Sequence, residues 1–285
     1  MTAAAALRRL ADGLLSVAWA RCCAACDTVL PRPTAAVVCA DCWRRVARIR
    51  PPLCDACGAP LDAEPPLRGA AVPCRRCPAG SMRPRPVARC RAAGWYDGAL
   101  RAIIQAFKYQ GRQSLAAPLA ALMREAGREL LDAADLVVPV PLHPRRRWER
   151  GFNQSRDLAA RLGPPLADIL VRIRHTPPQA TLAAGRRQAN VRGAFELTGR
   201  AWLQARATVA GKAIVVADDV LTTGATLAAC ARVLRAAGAR EVAGLTAARV
   251  ADRPPRQAPP PRRVRGAPRP PSATRAAAPG AGSSP

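Results

Sequence analysis

Two adjacent carboxylates followed by a turn rich in hydroxyl groups have the residue types and spacing of a sugar-phosphate site. They lie in the stretch Ile214-Val215-Val216-Ala217-Asp218-Asp219-Val220-Leu221-Thr222-Thr223-Gly224-Ala225-Thr226. The turn offers backbone N–H groups, hydroxyl donors and a glycine that lets a phosphate approach closely. Because like charges repel, the carboxylates would instead accept hydrogen bonds from sugar hydroxyls. We therefore predict a ribose 5-phosphate site with Asp218 and Asp219 as catalytic residues and with a phosphate-binding set of Thr222, Thr223, Gly224, Ala225 and Thr226.

Two elements must hold these groups in place. The apolar run before Asp218 is typical of a buried parallel strand, and residues 227–237 have the pattern of a helix whose positive N-terminal end would face the phosphate. An ordinary strand–turn–helix with two exposed aspartates is the alternative. The whole stretch resembles the phosphoribosyl pyrophosphate (PRPP) motif of type I phosphoribosyltransferases, with Ala217 in place of a larger apolar residue. That difference concerns packing rather than ligand chemistry.

A second predicted strand, residues 136–138, opens into a proline-rich loop and a run of arginines. Guanidinium groups suit bidentate contacts with phosphate oxygens, so this region would neutralise a diphosphate leaving group. A solvated basic turn is the alternative for the arginines. For the histidine of the loop, a hydrogen-bonding role is favoured over general-base chemistry. The candidate residues on this pyrophosphate side are Pro141, His143, Arg145, Arg146, Arg147 and Arg150.

Eight of the eleven cysteines form four Cys-x-x-Cys pairs between residues 23 and 77. Each pair can form one zinc knuckle, and two knuckles complete a tetrahedral site of four thiolates. Such a site leaves no open position for a substrate, so one or two structural zinc ions are predicted, with the pairing of the knuckles left open between sequential and interleaved. A disulfide framework or a thioredoxin-type redox pair fits less well, because there is neither a secretory signal nor a surrounding βαβ pattern. The predicted ligands are Cys23, Cys26, Cys39, Cys42, Cys54, Cys57, Cys74 and Cys77, while Cys22, Cys90 and Cys230 are taken as structural or spare.

The formal net charge is +26, and every basic residue except Lys108 and Lys212 is Arg. This bias reflects overall composition as much as any partner, although a basic surface attracts nucleic acid, phosphates and acidic headgroups. Residues 1–20 predict an amphipathic helix rather than a signal peptide, with attachment to a membrane surface as the minority alternative. Residues 252–285 predict a disordered tail rich in Pro and Arg. No stretch approaches the roughly 18 apolar residues of a membrane span, so a cytoplasmic location is predicted.

Several motifs taken together resemble the ComF family of competence-associated proteins. They are the cysteine pairs ahead of a transferase-like domain, residues 138–144 with 150–154, residues 176–179 with Arg187 and Asn190, and residues 218–226. The third of these lies in a basic segment, 172–195, that predicts either a mobile lid over a phosphorylated substrate or a plain surface excursion. The lid residues are Thr176, Gln179, Arg187 and Asn190.

The resemblance implies an α/β fold, with a type I phosphoribosyltransferase-like sheet of five parallel strands flanked by helices. A small cysteine-rich double zinc ribbon would precede it. The corresponding domains are an N-terminal helix at 1–20, the double zinc ribbon at 21–83, the transferase-like domain at 84–251 and the tail at 252–285.

The resemblance also implies PRPP with Mg²⁺ as ligand, an undefined phosphoribosyl acceptor, and a link to DNA uptake. Single-stranded DNA and a DNA-translocating helicase are the implied macromolecular partners. The alternative is a non-catalytic module that senses PRPP or a nucleotide, or serves as a scaffold, while its zinc ribbon and basic surface bind DNA or the helicase.

Overall fold

A computed structural model of the chain describes residues 22–31, 36–61, 74, 77, 85–174, 191, 193–198 and 202–251. Its strands are β1 (Cys90–Trp95), β2 (Leu136–Pro139), β3 (Leu170–Arg172), β4 (Phe195–Leu197), β5 (Ala213–Leu221) and β6 (Glu241–Arg249). Four of them form a parallel sheet in the order β1-β6-β5-β2, and β3 pairs with β4 in an antiparallel ribbon. The predicted α/β class with a parallel central sheet is confirmed.

Helices cover both faces of this sheet. In chain order they are α1 (Ala40–Arg44), α2 (Gly98–Tyr109), α3 (Ala116–Ala126), α4 (Arg128–Asp132), α5 (Pro144–Arg150), α6 (Gln154–Ala159), α7 (Trp202–Val209) and α8 (Ala225–Ala236). Apolar residues of α2, α3 and α6 belong to one core cluster, and those of α7 and α8 belong to a second. The sheet therefore lies between two helical layers.

The apolar run of β5 contributes side chains to the cores on both faces of the sheet. Val215 and Ala217 pack into the α2–α3 cluster, whereas Ile214 and Val216 pack into the α7–α8 cluster. Because successive side chains point to opposite faces of a sheet, a strand buried on both sides needs a continuous apolar sequence. This is why the sequence around residues 214–217 predicts a central parallel strand.

Helices α3 and α4 follow one another with only Gly127 between them. A Cβ atom built on Gly127 would lie 2.5 Å from the Leu245 side chain of β6. A larger residue at position 127 would therefore require the Leu245 side chain to shift.

The sheet has four strands among the described residues, one fewer than the family resemblance implies. The position of a fifth is taken by a single parallel bridge between Val137 and Leu166. Val137 donates to the Pro165 carbonyl at 2.9 Å, and Ala167 donates to the Val137 carbonyl at 2.9 Å. Pro164 and Pro165 have no N–H group to extend this ladder, so the pairing does not grow into a strand.

Candidate functional site

The acid pair lies at the carboxyl end of β5, where parallel sheets bind ligands. Asp218 Oδ1 accepts hydrogen bonds from Ser155 Oγ at 2.8 Å and from the Asp219 amide at 2.9 Å. Asp219 Oδ1 forms an ion pair with Lys108 Nζ at 2.7 Å, and the exposed fractions of these side chains are only 11% and 15%. The two carboxylates are therefore held separately, one by a hydroxyl group and the other by a cation.

Asp218 is electrostatically costly in the folded protein. Burial, together with the neighbouring Asp219 charge, raises the pKa of Asp218 to about 7, against the opposing effects of the Ser155 hydrogen bond and the Lys108 charge. An unfolded aspartate has a pKa of 3.8, so between about pH 4 and pH 7 the unfolded chain releases a proton that the folded protein retains at Asp218. The free energy of unfolding therefore falls progressively as the pH rises through this range. A side chain that weakens the fold at neutral pH is typical of a ligand site.

Lys108 is a site residue that sequence reasoning missed. It lies in the last turn of α2. Burial disfavours its charged form, but attraction to Asp219 outweighs burial and raises the pKa of Lys108. The available signal was composition: in a chain where Arg supplies nearly all of the positive charge, this position carries Lys. The ammonium of Lys108 is a compact point charge on a flexible stem, and it lies 2.7 Å from the Asp219 carboxylate.

The turn after β5 has the geometry that the sequence predicts for a phosphate loop. Gly224 has a φ of +79°, a left-handed conformation that residues with a side chain rarely adopt. Helix α8 begins directly afterwards, and Thr223 Oγ1 accepts a hydrogen bond from the Ala225 amide at 3.4 Å. Thr222 precedes these residues and Thr226 lies in the first turn of α8. The predicted phosphate-binding residues therefore surround one helix N-terminus next to the acid pair.

The predicted pyrophosphate-side residues separate into different environments. Pro141 is buried beside the sheet, and His143 caps α5 by accepting a hydrogen bond from the Arg145 amide at 3.3 Å. Arg145 pairs with Glu149 at 3.2 Å, and Arg147 lies exposed on α5.

Two arginines of α5 lie on the side of the helix that faces α2 and β3. Arg150 Nη2 donates to the Tyr109 hydroxyl at 3.2 Å, and its guanidinium lies 4.9 Å from the centre of that ring. Burial, followed by the Arg150 charge, lowers the pKa of Arg146. Arg146 also acts electrostatically on Arg172 of β3, which the charge of Asp218 affects as well.

Arg172 is a second residue that sequence reasoning did not single out, because it was only the first residue of the predicted lid. Its guanidinium lies 5.3 Å from the centre of the Phe195 ring on β4. Burial and then the Arg146 charge lower the pKa of Arg172, while Asp218 opposes them. Arg172 therefore interacts electrostatically with both α5, the arginine helix, and the acid pair. The lid residues Thr176, Gln179, Arg187 and Asn190 lie outside the described part of the chain.

The predicted metal ligands form two clusters, which pair the knuckles sequentially. The sulfur atoms within each lie within 4.8 Å of one another. Cys23 and Cys42 are 3.8 Å apart, as are Cys26 and Cys39, whereas Cys54 is 3.9 Å from Cys77 and Cys57 is 3.6 Å from Cys74. Four sulfurs at ~2.3 Å from a central zinc would be separated by roughly 3.8 Å, the edge of the tetrahedron. Both clusters fit structural zinc.

The three other cysteines lie outside these clusters. Cys90 and Cys230 are buried in the core, and Cys22 is exposed. Burial raises the pKa of the Cys90 thiol to about 11, so it has little thiolate character near neutral pH. The structural assignment of Cys90 agrees with this environment.

A cavity of about 740 Å³ lies on another part of the surface. It is lined by residues of α3 and α4 together with Leu162, including Arg124, Glu125 and Arg128. None of its lining residues belongs to the acid pair, the phosphate turn or the arginine helix. This cavity and the candidate site are therefore separate.

A parallel α/β sheet with an acid pair and a phosphate-type turn at the end of a central strand belongs to the phosphoribosyltransferase class. The sequence profile of the phosphoribosyl transferase domain matches residues 149–265, and that of the double zinc ribbon domain matches residues 14–79. The chain is 35% identical over 218 residues to DNA utilization protein YhgH of Salmonella typhimurium, which covers 72% of this chain and 87% of that protein. The chain belongs to the ComF family.

Two further comparisons differ in their weight. The chain is 33% identical over 159 residues to Competence protein F of Haemophilus influenzae, a match that covers 52% of this chain and 67% of that protein. A solved allosteric regulatory enzyme of purine biosynthesis is 21% identical with a TM-score of 0.32, over 50% of this chain and 30% of that one. This structural similarity is too low to support a conclusion about function. The names of the sequence relatives connect the family with competence and DNA utilization.

Among the described residues, no helix has both the length and the apolar character needed to cross a membrane.

Proposed function

We propose that this protein binds PRPP with Mg²⁺ at the end of β5 and transfers its phosphoribosyl group to an acceptor nucleophile. The observation that carries the proposal is the acid pair, with Asp218 bonded to Ser155 and Asp219 paired with Lys108, placed directly before the turn that opens α8. Two fixed carboxylates just before a turn that opens a helix suit a ligand with sugar hydroxyls at one end and a phosphate at the other.

Each group of residues has a distinct task in this proposal. Residues 222–226 bind the 5-phosphate, and the acid pair accepts hydrogen bonds from the ribose hydroxyls. Arg146 and Arg172 supply guanidinium groups for the pyrophosphate, since Arg172 interacts electrostatically with both Arg146 and Asp218. Lys108 holds the Asp219 carboxylate in place through their ion pair.

In the transfer, the bond between the anomeric carbon and the pyrophosphate oxygen breaks, and pyrophosphate leaves with the electron pair. The acceptor forms the new bond to that carbon and loses its proton. Mg²⁺ bound together with PRPP would supply charge neutralisation for the phosphate oxygens. The chain's contribution is positioning and charge stabilisation, so the reaction requires no nucleophilic cysteine or serine.

Isothermal titration of the full-length zinc-loaded protein tests this proposal. We expect PRPP with Mg²⁺ to bind and to raise the melting temperature, and to bind more tightly than ribose 5-phosphate or pyrophosphate alone, because only PRPP occupies both halves of the site. An absence of both heat and thermal shift at millimolar PRPP would contradict the proposal and would favour a scaffolding role.

A second candidate function, binding of single-stranded nucleic acid, is favoured by the outer side of α5. Trp148 is 87% exposed in a helix with four arginines, and Tyr109 is 67% exposed beside Arg150. Bases stack on exposed aromatic rings, and surrounding cations bind the backbone. A helicase partner stays a prediction. A cytoplasmic location also stays a prediction; a reducing compartment would keep the zinc-binding cysteines available as thiolates.

Trp148→Ala is expected to weaken binding of single-stranded DNA roughly tenfold, because stacking on an aromatic ring contributes about 1–3 kcal/mol per base. Fluorescence anisotropy at two salt concentrations measures the affinity. Leu203→Ala, which truncates a side chain that is 74% exposed on α7, is the matched control and should leave the affinity unchanged. Binding that survives in Trp148→Ala and disappears when residues 253–285 are deleted would instead assign the DNA contact to the basic tail.

A further inference from the structure

Two buried arginines of the central sheet contact the main chain of one zinc knuckle. Arg91 of β1 donates from Nη1 to the carbonyls of Cys54 at 3.4 Å and Asp55 at 2.9 Å. Arg249, the last residue of β6, donates from Nη1 to the Cys57 carbonyl at 2.5 Å. Their exposed fractions are 6% and 5%. The second cysteine cluster is therefore attached to the sheet through side chains that reach out from the sheet itself.

The backbone of the knuckle also lies close to the backbone of β1. Gly58 follows the knuckle with a φ of +64°, and a Cβ atom built on it would lie 2.2 Å from the Cys90 carbonyl oxygen of β1. Only a glycine fits between the knuckle and the strand. The knuckle thus has one fixed position against β1 and β6.

The two arginines differ in how their buried charge is compensated. Arg91 forms an ion pair with Glu129 at 2.5 Å. Among the described residues, no carboxylate lies within ion-pair distance of Arg249, and its Nε has no hydrogen-bond partner. A buried charge is costly without a counter-charge. A zinc ion bound by four thiolates carries a net charge of −2, so the loaded second cluster supplies the anion that Arg249 lacks.

Arg249 is also the residue of β6 that lies next to the phosphate turn. It is paired in register with Leu221, the last residue of β5, and the Val250 amide donates to the Leu221 carbonyl at 2.8 Å. On its other side, the Tyr96 amide donates to the Arg249 carbonyl at 2.7 Å. The Leu221 side chain in turn lies 3.6 Å from the Cβ position of Gly224. Arg249 thus contacts the zinc knuckle through its side chain and lies in register with the last residue of β5, to which the next amide, that of Val250, donates its hydrogen bond.

We propose that Arg249 is a positioning residue that couples the second zinc centre to the phosphate turn, so that residues 222–226 are ordered for PRPP only when that centre holds its metal. The part of this inference that concerns PRPP affinity rests on the proposed function. The ordering of the turn does not, because it is a property of the ligand-free protein. Loss of zinc from the second centre leaves Arg249 without its counter-charge, and the end of β6 and the adjoining turn then loosen together.

The test measures hydrogen exchange of amides in residues 219–227 in the ligand-free full chain, alongside zinc content and PRPP affinity. Arg249→Met is expected to speed exchange in this segment at least tenfold and to weaken PRPP binding at least tenfold. Cys77→Ser, which removes a ligand of the second centre, should have the same effect on exchange and lower the zinc content by one ion. Arg249→Lys keeps the charge and should restore most of the protection.

The matched comparison is Arg91→Met, because Arg91 contacts the same knuckle but is paired in register with Leu245, in the middle of β6. In its zinc-loaded form, exchange in 219–227 should stay within twofold of wild type. Both substitutions break the same coupling between the second zinc centre and the phosphate turn. Amides 219–227 of the double variant Arg249→Met/Cys77→Ser should therefore exchange no faster than those of the faster single variant. If Arg249→Met fails to fold, Cys77→Ser and Arg249→Lys still decide the result.

Unchanged exchange in Cys77→Ser, or equal acceleration in Arg91→Met and Arg249→Met, would overturn the coupling. A wild-type protein that does not bind PRPP but shows the exchange pattern would refute the proposed function and leave the coupling standing.

Discussion

Asp218→Asn/Asp219→Asn is expected to abolish measurable PRPP binding, with a loss of at least about 100-fold in affinity. In the proposed complex each carboxylate accepts hydrogen bonds from sugar hydroxyls; a hydrogen bond to a charged group contributes ~1.5–3 kcal/mol, and the affinity losses from two such groups multiply. The amide at position 218 can still accept the Ser155 hydrogen bond, so the local shape persists. Calorimetry with PRPP and Mg²⁺ measures the change.

The control for this prediction is Asp135→Asn, which removes an acid at the opposite end of β5. Asp135 Oδ2 accepts a hydrogen bond from the Ala213 amide at 2.8 Å, and Lys212 lies 3.8 Å from the same carboxylate. PRPP affinity should stay within about twofold of wild type there. If the acid-pair double variant bound PRPP as tightly as the Asp135 variant, the acid pair would have no part in the site.

Folding can be separated from binding with the single variants. Asp219→Asn leaves the buried Lys108 ammonium without its carboxylate and should lower the melting temperature, since an unpaired buried charge is strongly destabilising. Asp218→Asn removes a carboxylate whose pKa is raised by burial and should raise the melting temperature above pH 7 while weakening PRPP binding. Opposite shifts in stability with the same loss of binding would identify the pair as ligand-binding rather than structural.

Cys23→Ser is expected to remove one zinc ion per chain and to lower the free energy of unfolding by more than about 4 kcal/mol. Cys23 is fully buried in the same core cluster as α2, and its sulfur accepts a hydrogen bond from the Cys39 amide at 3.3 Å. Loss of the metal therefore opens both the first ribbon and the layer against which α2 packs. Metal analysis and urea denaturation measure the two effects.

Cys22→Ser is the matched control for that substitution. Cys22 is the preceding residue, is exposed, and lies outside both cysteine clusters. Zinc content should be unchanged, and the free energy of unfolding should stay within about 0.5 kcal/mol of wild type. Equal zinc content in the Cys23 and Cys22 variants would mean that the first cluster is not a metal site.

The sequence predicts the parts of the site that are contiguous in the chain. Asp218, Asp219 and the turn after them form one segment, so strand, acid pair and helix start can be recognised without knowing what packs against them. Lys108 and Ser155 reach the same point from α2 and α6, and only the folded chain brings them together. Their partners are fixed by the packing of helices on the sheet, about which local patterns say nothing.

The arginine helix shows the same limit. The sequence gives a run of cations at one end of a loop but does not say which of them faces the site. In the helix, residues four apart share a side, so Arg145 meets Glu149 while Arg146 and Arg150 lie together. The pairing of zinc knuckles was also open, because spacing alone permits both arrangements. The sulfur distances resolve it in favour of sequential pairs.

The strand order has a consequence for how the chain folds as it is synthesised. β1 is made early, yet its neighbour in the sheet is β6, which is the last of the strands in the described part of the chain to leave the ribosome. Meanwhile the other edge of β1 is covered by the segment after the first ribbon, where the Trp95 amide donates to the Ala47 carbonyl at 2.8 Å and the Ile49 amide donates to the Ala93 carbonyl at 3.1 Å. Exposed strand edges promote aggregation. An N-terminal module that closes locally around metal thus shields a nascent strand while translation of its eventual neighbour is completed.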